Sequence, residues 1–237
     1  PAPANVRAMS TYRGLKVDET RAGLAGFNLA RHVHDLPERV EQHRLQLQHD
    51  LKLERQPFWL NQTHSSTLLS LPEEANFRSA DGSYTRSLNW PCVVMTADCL
   101  PILFCNTSGT QVAAVHAGWQ GLANGIVTKA VAKFADPASL LVWMGPAIGP
   151  DAFEVGTDVL AAFGVDPSNA CQEFSLITTK PNKWMGNLYA LARKELAGLG
   201  VTQVFGGEHC TLANSENFYS HRRDPQSGRM ASLIWII

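Results

Sequence analysis

Charge is scarce in this 237-residue chain: Asp, Glu, Lys and Arg together make up 17% of it, and the net charge is −1. No polybasic field is available to hold a nucleic-acid backbone or an anionic membrane, so neither is expected as a partner. A charged substrate would have to be held by a few local groups. Long apolar runs are missing too, since none reaches the ~18 residues needed to span a bilayer. The first segment, PAPANVRAMS, lacks the basic-then-apolar order of a secretory signal. The five cysteines (Cys92, Cys99, Cys105, Cys171 and Cys210) are odd in number and form no C-x-x-C pair. That argues against a disulfide framework and makes a reducing, cytoplasmic compartment the expectation.

What is present is an ordinary globular composition, 45% hydrophobic, long enough to bury a sizeable core. There is no internal repeat and no obvious linker, so residues 1–237 are read as one domain. Asp35 and Glu38 read as a capping box around Pro37, opening a helix with Val40, His43, Leu47 and Leu51 on one face. PFWLNQTHSSTLLSL reads as two short strands around a polar centre. A second helix is expected from Leu122 to Phe134, and a third from the N-cap Asn187 to Gly200. SLLVWMG, VTQVFGG and RMASLIWII read as strands. Strands and helices do not alternate strictly, which predicts an α+β, layered fold with a mixed β-sheet core covered by helices.

The most informative stretch is TADCLPILFCNTSGTQVAAVHAGWQG. Two apolar runs flank the turn-formers NTSGT, which predicts an antiparallel hairpin. The expected pairing sets Phe104 opposite Gln111, Leu100 opposite Val115 and Cys99 opposite His116. Directly opposed residues have Cβ atoms ~4.5–5.5 Å apart. One metal ion fits across that gap between a thiolate and an imidazole, and so does a direct Cys–His hydrogen bond that would activate the thiol. A third ligand is offered by His64, in a polar interruption between apolar stretches. Two His and one Cys leave a fourth tetrahedral position open, the pattern of catalytic zinc. Thiolate and imidazole suit copper as well as zinc. After His116 the chain runs through small residues into a helix start, which favours an anion nearby.

These segments together resemble one family. LNQTHSSTLL, VVMTADCLPILFCN, VAAVHAGWQGLANGIV, WMGPAIGPDAFEVG, LYALARKELAGLGV and FYSHRRDPQSGRMASLIW are similar, in order and spacing, to the laccase-domain (polyphenol-oxidase-like, YfiH-like) purine nucleoside phosphorylases. The resemblance implies zinc ligation by His64, Cys99 and His116. It also implies phosphorolysis of adenosine or inosine to the base and ribose 1-phosphate, with adenosine deamination and methylthioadenosine cleavage as related activities. Asp98 is then expected to orient a ligand or take a proton. Arg44, Arg222 and Arg223 are expected to clamp phosphate, because a guanidinium fork matches phosphate oxygens. Asn28 and Gln62 are expected to hydrogen-bond ribose or base. The chain departs from the family pattern at Gln120, which replaces an Arg, and at Tyr12 and Arg13, where an Arg is displaced by one position.

The older family name suggests a copper laccase. A four-copper oxidase needs about ten His and repeated H-x-H pairs, whereas this chain has eight His and one such pair, His32 and His34. The rival readings are a metal-free Cys–His hydrolase or amidase acting in peptidoglycan-precursor editing, with Cys99 and His116 as the dyad, and a non-enzymatic binding protein.

Overall fold

This computed structural model describes residues 2–14, 22–168 and 171–237. In chain order the strands and helices are β1 (Val6–Ser10), α1 (Pro37–Asp50), β2 (Leu68–Leu71), β3 (Gly82–Thr85), β4 (Cys92–Thr96), β5 (Leu100–Asn106) and β6 (Val112–Ala117). They continue with α2 (Trp119–Ala123), α3 (Ile126–Val131), β7 (Leu140–Met144), β8 (Glu154–Val155), α4 (Thr157–Ala162), β9 (Phe174–Leu176), β10 (Trp184–Gly186), α5 (Leu188–Gly198), β11 (Gln203–Gly206) and β12 (Met230–Ile236). One sheet runs β1-β12-β4, all antiparallel; a mixed sheet runs β11-β7-β5-β6-β3-β2; a small third sheet is β8-β10-β9.

The apolar run of β5 is continuous because both its faces are covered. Leu103 and Cys105 of β5, with Val112 and Ala114 of β6, pack against Val94 of β4 and Ile234 and Ile236 of β12. The alternate residues Ile102, Phe104 and Val115 face the other way, onto Ile126, Val127, Leu188 and Leu196 of the helices. Beyond the three-stranded sheet, Val93, Leu233 and Trp235 pack on Leu29, Trp59 and Leu47 of α1. The α+β fold is therefore layered: α1, the three-stranded sheet, the six-stranded sheet, then α2 to α5. Each fully buried Leu, Ile or Phe in these layers contributes roughly 1.5–3 kcal/mol by leaving water.

Several sequence expectations are corrected here. The hairpin forms, but Phe104 pairs with Ala113, Leu100 with Ala117, and His116 with Pro101, not Cys99. The cause lies at the turn. Asn106 extends β5, and its side-chain oxygen accepts from the N–H groups of Thr110 and Gln111, so the loop begins one residue later than the turn-formers suggest. The offset from the expected pairing is two positions, an even number, so the same faces still meet. Cys99 becomes the diagonal neighbour of His116. The expected helix from Leu122 to Phe134 is two short helices, broken at Asn124 and Gly125, where the glycine adopts φ 74°. The capping box does not form: Leu36 is the N-cap, and the Asp35 carboxylate accepts instead from Leu36 N, Arg39 and Asn28. Residues 57–60 form no strand, Asn61 making only an isolated bridge to Ser79, so of the two strands expected around His64 only β2 exists. Asn187 does cap α5, accepting from Ala190 N at 3.0 Å.

Candidate metal centre

Three strand ends meet at one corner of the six-stranded sheet. β4 leaves there through the turn Ala97–Cys99 into β5, β6 leaves through Gly118 into α2, and β3 enters just after Asp81. His64 arrives on the segment ahead of β2. The ligand atoms of His64, Cys99 and His116 all lie within 4.8 Å of one another. The Cys99 sulfur is 3.9 Å from His64 Nε2, and the two imidazole centroids are 4.9 Å apart. Tetrahedral zinc at its usual bond lengths needs donors about 3.5 Å apart, so a slight contraction closes the set. Burial is graded across the three: His116 is enclosed, Cys99 half-buried and His64 exposed. The mouth therefore opens to solvent on the His64 side. A thiolate and two imidazoles are a donor set for a metal ion, and the geometry fits one.

The residue that builds this corner is Asp81. It sits on β3's approach directly beside His116, whose backbone N–H donates to the Asp81 carbonyl at 2.7 Å. Its carboxylate is wholly buried. Oδ1 is 2.8 Å from His116 Nδ1 and accepts from His64 N–H at 3.0 Å. Oδ2 accepts from Thr63 N–H, from Ser65 N–H and from the Ser65 hydroxyl. One side chain thus fixes the ring of one ligand and the backbone of another. It leaves His116 Nε2 facing the cluster, the arrangement by which outer carboxylates orient metal-bound histidines. His64 needs the help, because its backbone has φ 60°, in the left-handed region.

Electrostatics follow from this packing. Burial pushes the Asp81 carboxyl up, but hydrogen bonds from His116 and Ser65 outweigh it and hold the group well below the usual carboxylate range. Burial likewise opposes charge on Cys99 and His116, yet each lowers the other's cost: the thiol is drawn down by the imidazoles and His116 is held up by the thiolate and Asp81. Gly118 packs directly against two of the three donor side chains. A Cβ there would lie 2.9 Å from the Cys99 sulfur and 3.3 Å from His64 Cδ2.

The other expected site residues fall into two groups. Asp98 is buried beside Cys99 at φ 89°, and its oxygens accept from Thr211 Oγ1 at 2.6 Å, Ser220 Oγ at 3.0 Å and Arg222 N at 2.7 Å. It pins the ligand turn to the C-terminal loops. Arg222, exposed, lays its guanidinium on the Glu154 carbonyl at 3.2 Å. Arg223 is turned inward onto the carbonyls of Thr211, Leu212 and Phe218. Asn28 is fully enclosed, its amide donating to Ala30 O and Asp35 and its oxygen accepting from Ala30 N and Arg229 N. Gln62 is half-buried and clamped to the Met95 backbone by two bonds of 2.8 Å. Arg44 is buried away from the triad, hydrogen-bonded to Leu29 O and stacked on Trp59 at 4.1 Å. Arg13 is enclosed, with Nε donating to Ala25 O at 2.9 Å, while Tyr12 and Gln120 are exposed.

Sequence reasoning missed Asp81 and Arg229. Burial lowers the pKa of Arg229, and the nearby Cys99 and Asp98 offset that only in part. An Asp between Ala80 and Gly82 at a strand start carries no motif, and nothing local distinguishes it.

Comparison with known proteins places the chain. Residues 7–237 match the family described as multi-copper polyphenol oxidoreductase laccase. The Haemophilus influenzae protein named purine nucleoside phosphorylase is 45% identical over 98% of this chain and 95% of its own length. The Escherichia coli protein named purine nucleoside phosphorylase YfiH is 44% identical over 100% of this chain and 96% of its own. Among solved structures, Neisseria meningitidis NMB0706 superposes with a TM-score of 0.90 at 43% identity, covering 99% of this chain and 96% of that one. YlmD from Geobacillus stearothermophilus gives 0.86 at 26%, covering 98% and 92%. With a match across nearly its whole length and relatives this similar end to end, the chain belongs to the multi-copper polyphenol oxidoreductase laccase family.

Proposed function

We propose that the protein is a zinc-dependent purine nucleoside phosphorylase, converting adenosine or inosine and phosphate to the free base and ribose 1-phosphate. The observation that carries the reading is the triad His64, Cys99 and His116, braced by Asp81 and open on one side, in a chain whose relatives are named for this activity. The same centre would serve the related deamination of adenosine and cleavage of methylthioadenosine. His64, Cys99 and His116 would hold the ion, with copper as the alternative occupant. When bound, the ion supplies Lewis acidity at the mouth of the site.

The chain's own residues do the rest. Asp81 keeps the Nδ1 proton on His116, so that Nε2 stays a ligand. Asp98 fixes the turn that carries Cys99. Arg229 holds a positive charge near the thiolate, where an anionic group of a substrate would be favoured. Base release from inosine, followed with and without phosphate, tests the reading: strict phosphate dependence supports phosphorolysis, and turnover without phosphate replaces it with hydrolysis. Stoichiometric zinc that is lost in Cys99→Ala supports the ion.

A second reading has one observation in its favour, the 3.9 Å approach of the Cys99 sulfur to His64 Nε2. It is a metal-free thiol nucleophile with a histidine base. Rapid, stoichiometric alkylation of Cys99 in active, metal-free protein would select it.

A further inference from the structure

On the α1 side of the molecule lies a cavity of about 610 Å³ that the metal centre does not use. Its size is that of a small-molecule site. Four arginines line it, Arg31, Arg44, Arg55 and Arg78, together with Phe58, Trp59 and Trp90. Three of the guanidiniums lie over the three rings, measured from Cζ to ring centroid: Arg44 on Trp59 at 4.1 Å, Arg55 on Trp90 at 4.3 Å and Arg78 on Phe58 at 4.6 Å. Contact with the rings holds the guanidiniums in place, and Arg78 Nη1 also donates to the Trp59 carbonyl at 3.0 Å.

The charge in this cavity is unbalanced. Arg31 pairs with Glu41 at the rim. Among the described residues, no carboxylate lies in ion-pair contact with Arg44, Arg55 or Arg78. Arg44 is only 6% exposed; Arg31 and Arg78 repel it and Glu41, outside ion-pair contact, partly offsets them. Burial, the larger effect, also disfavours its charge, but its pKa of about 10 keeps it a cation at neutral pH. Its Nε and Nη2 groups donate to the Leu29 carbonyl, and among the described residues Nη1 makes no hydrogen bond. Trp59, a wall of the same cavity, is 7% exposed, and its indole N–H has no partner. A buried, rigid, unpaired guanidinium among three others is what an incoming dianion would satisfy.

The cavity also shares its wall with the metal centre. Leu60 and Asn61 line it on the segment that leads to His64, and Met95 lines it on the strand that leads to Cys99. Gln62 ties those two segments together. His32, another lining residue, feels Arg44 as well as Arg229 and His116, which sets it between the two places.

We propose that this cavity binds a phosphoryl dianion, with Arg44 as its inner anchor and Arg55 and Arg78 closing on it from the rim. The ligand is either inorganic phosphate or a phosphomonoester such as a nucleoside monophosphate. The site stands on its own geometry; only the use of bound phosphate in catalysis rests on the phosphorolysis reading.

The test uses the intact protein and intrinsic tryptophan fluorescence, which Trp59 and Trp90 report, with calorimetry in parallel. Inorganic phosphate, AMP and adenosine are titrated at constant ionic strength set with chloride. Saturable binding of phosphate or AMP is expected, with adenosine silent in the fluorescence signal. Equal affinity for phosphate and AMP identifies the dianion alone as the ligand, and preference for AMP identifies the phosphomonoester. Arg78→Ala and Arg55→Ala, both at exposed positions, should each weaken binding about tenfold, and Arg44→Lys at least as much, because Lys keeps the charge but loses the fork. No saturable signal, displacement by chloride alone, or wild-type affinity in Arg78→Ala and Arg55→Ala would overturn the proposal. Phosphate-dependent base release is measured on the same samples: binding without turnover removes the phosphorolysis reading and leaves the site, whereas turnover without binding in this cavity does the opposite.

Discussion

Asp81→Asn is the substitution that most directly tests how the metal centre is built. The change is nearly isosteric, but it replaces one carboxylate oxygen with an NH2 group. Every neighbour of that carboxylate is a donor: three backbone N–H groups, the Ser65 hydroxyl and His116 Nδ1. If the NH2 replaces Oδ2, it confronts Thr63 N–H and Ser65 N–H. If it replaces Oδ1, it confronts His64 N–H and forces His116 to accept at Nδ1, which moves the proton to Nε2 and removes that atom as a ligand. Either orientation leaves a buried donor unsatisfied at about 1–3 kcal/mol each, so a stability loss of ~2–4 kcal/mol is expected in urea unfolding. The ligand geometry loosens as well, and loss of an outer carboxylate typically lowers metal affinity about 10–100-fold. Zinc affinity is read by competition with a chromophoric chelator. Asp35→Asn is the control, since Asp35 is also buried and bonded to a backbone N–H, to Arg39 and to Asn28, but not to a ligand. It should lose stability and keep wild-type zinc affinity. Equal zinc affinity in Asp81→Asn and the native chain would refute the reasoning, whatever happened to stability.

Gly118→Ala should cut zinc retention after dialysis at least about tenfold with only a small fall in Tm, because the added methyl meets the Cys99 sulfur while the backbone, at φ −63°, is unstrained. Phe104→Ala, in a fully buried position on β5 between β6 and β7, should destabilise by about 3–5 kcal/mol in urea unfolding. Stability should also respond to acid through Asp35. Burial raises its pKa, but hydrogen bonds from Asn28 and Arg39 and from the Leu36 backbone prevail and depress it below the usual carboxylate range. A depressed carboxyl stabilises above its unfolded pKa and loses that contribution as pH falls through its folded one, so the loss begins near pH 4 and continues downward. A chemical-denaturation series over that range should show a shallower acid slope in Asp35→Asn, and an unchanged slope would count against the assignment.

The hairpin and its two chemical residues were legible because NTSGT is a run of turn-formers between apolar strands, and because β-strand alternation puts Cys99 and His116 on one face under any even offset. The register itself was not, since Asn106 prolongs the strand through bonds its side chain makes only once the turn has closed. His64 stood out as a polar break between apolar runs. Asp81 did not, because its function is entirely tertiary: all five partners of its carboxylate lie on a segment brought in from before β2 or on β6, and no spacing in the chain encodes that meeting. The capping box failed for the same reason, as Arg39 and Asn28 compete for Asp35. The composition hid the arginine-lined cavity too. A net charge of −1 spread over the chain says nothing about four guanidiniums gathered at one place.

Asp81 bonds to β6 and to the His64 segment at once, so pairing the third and sixth strands is the same act as presenting the donors. An incoming ion therefore meets a socket already shaped and has little conformational entropy left to remove. Its full affinity then appears as added protection against heat, growing with free ion concentration from a baseline that is already a folded protein. Stripping the ion with a chelator should return the melting curve to that baseline and leave the fold standing.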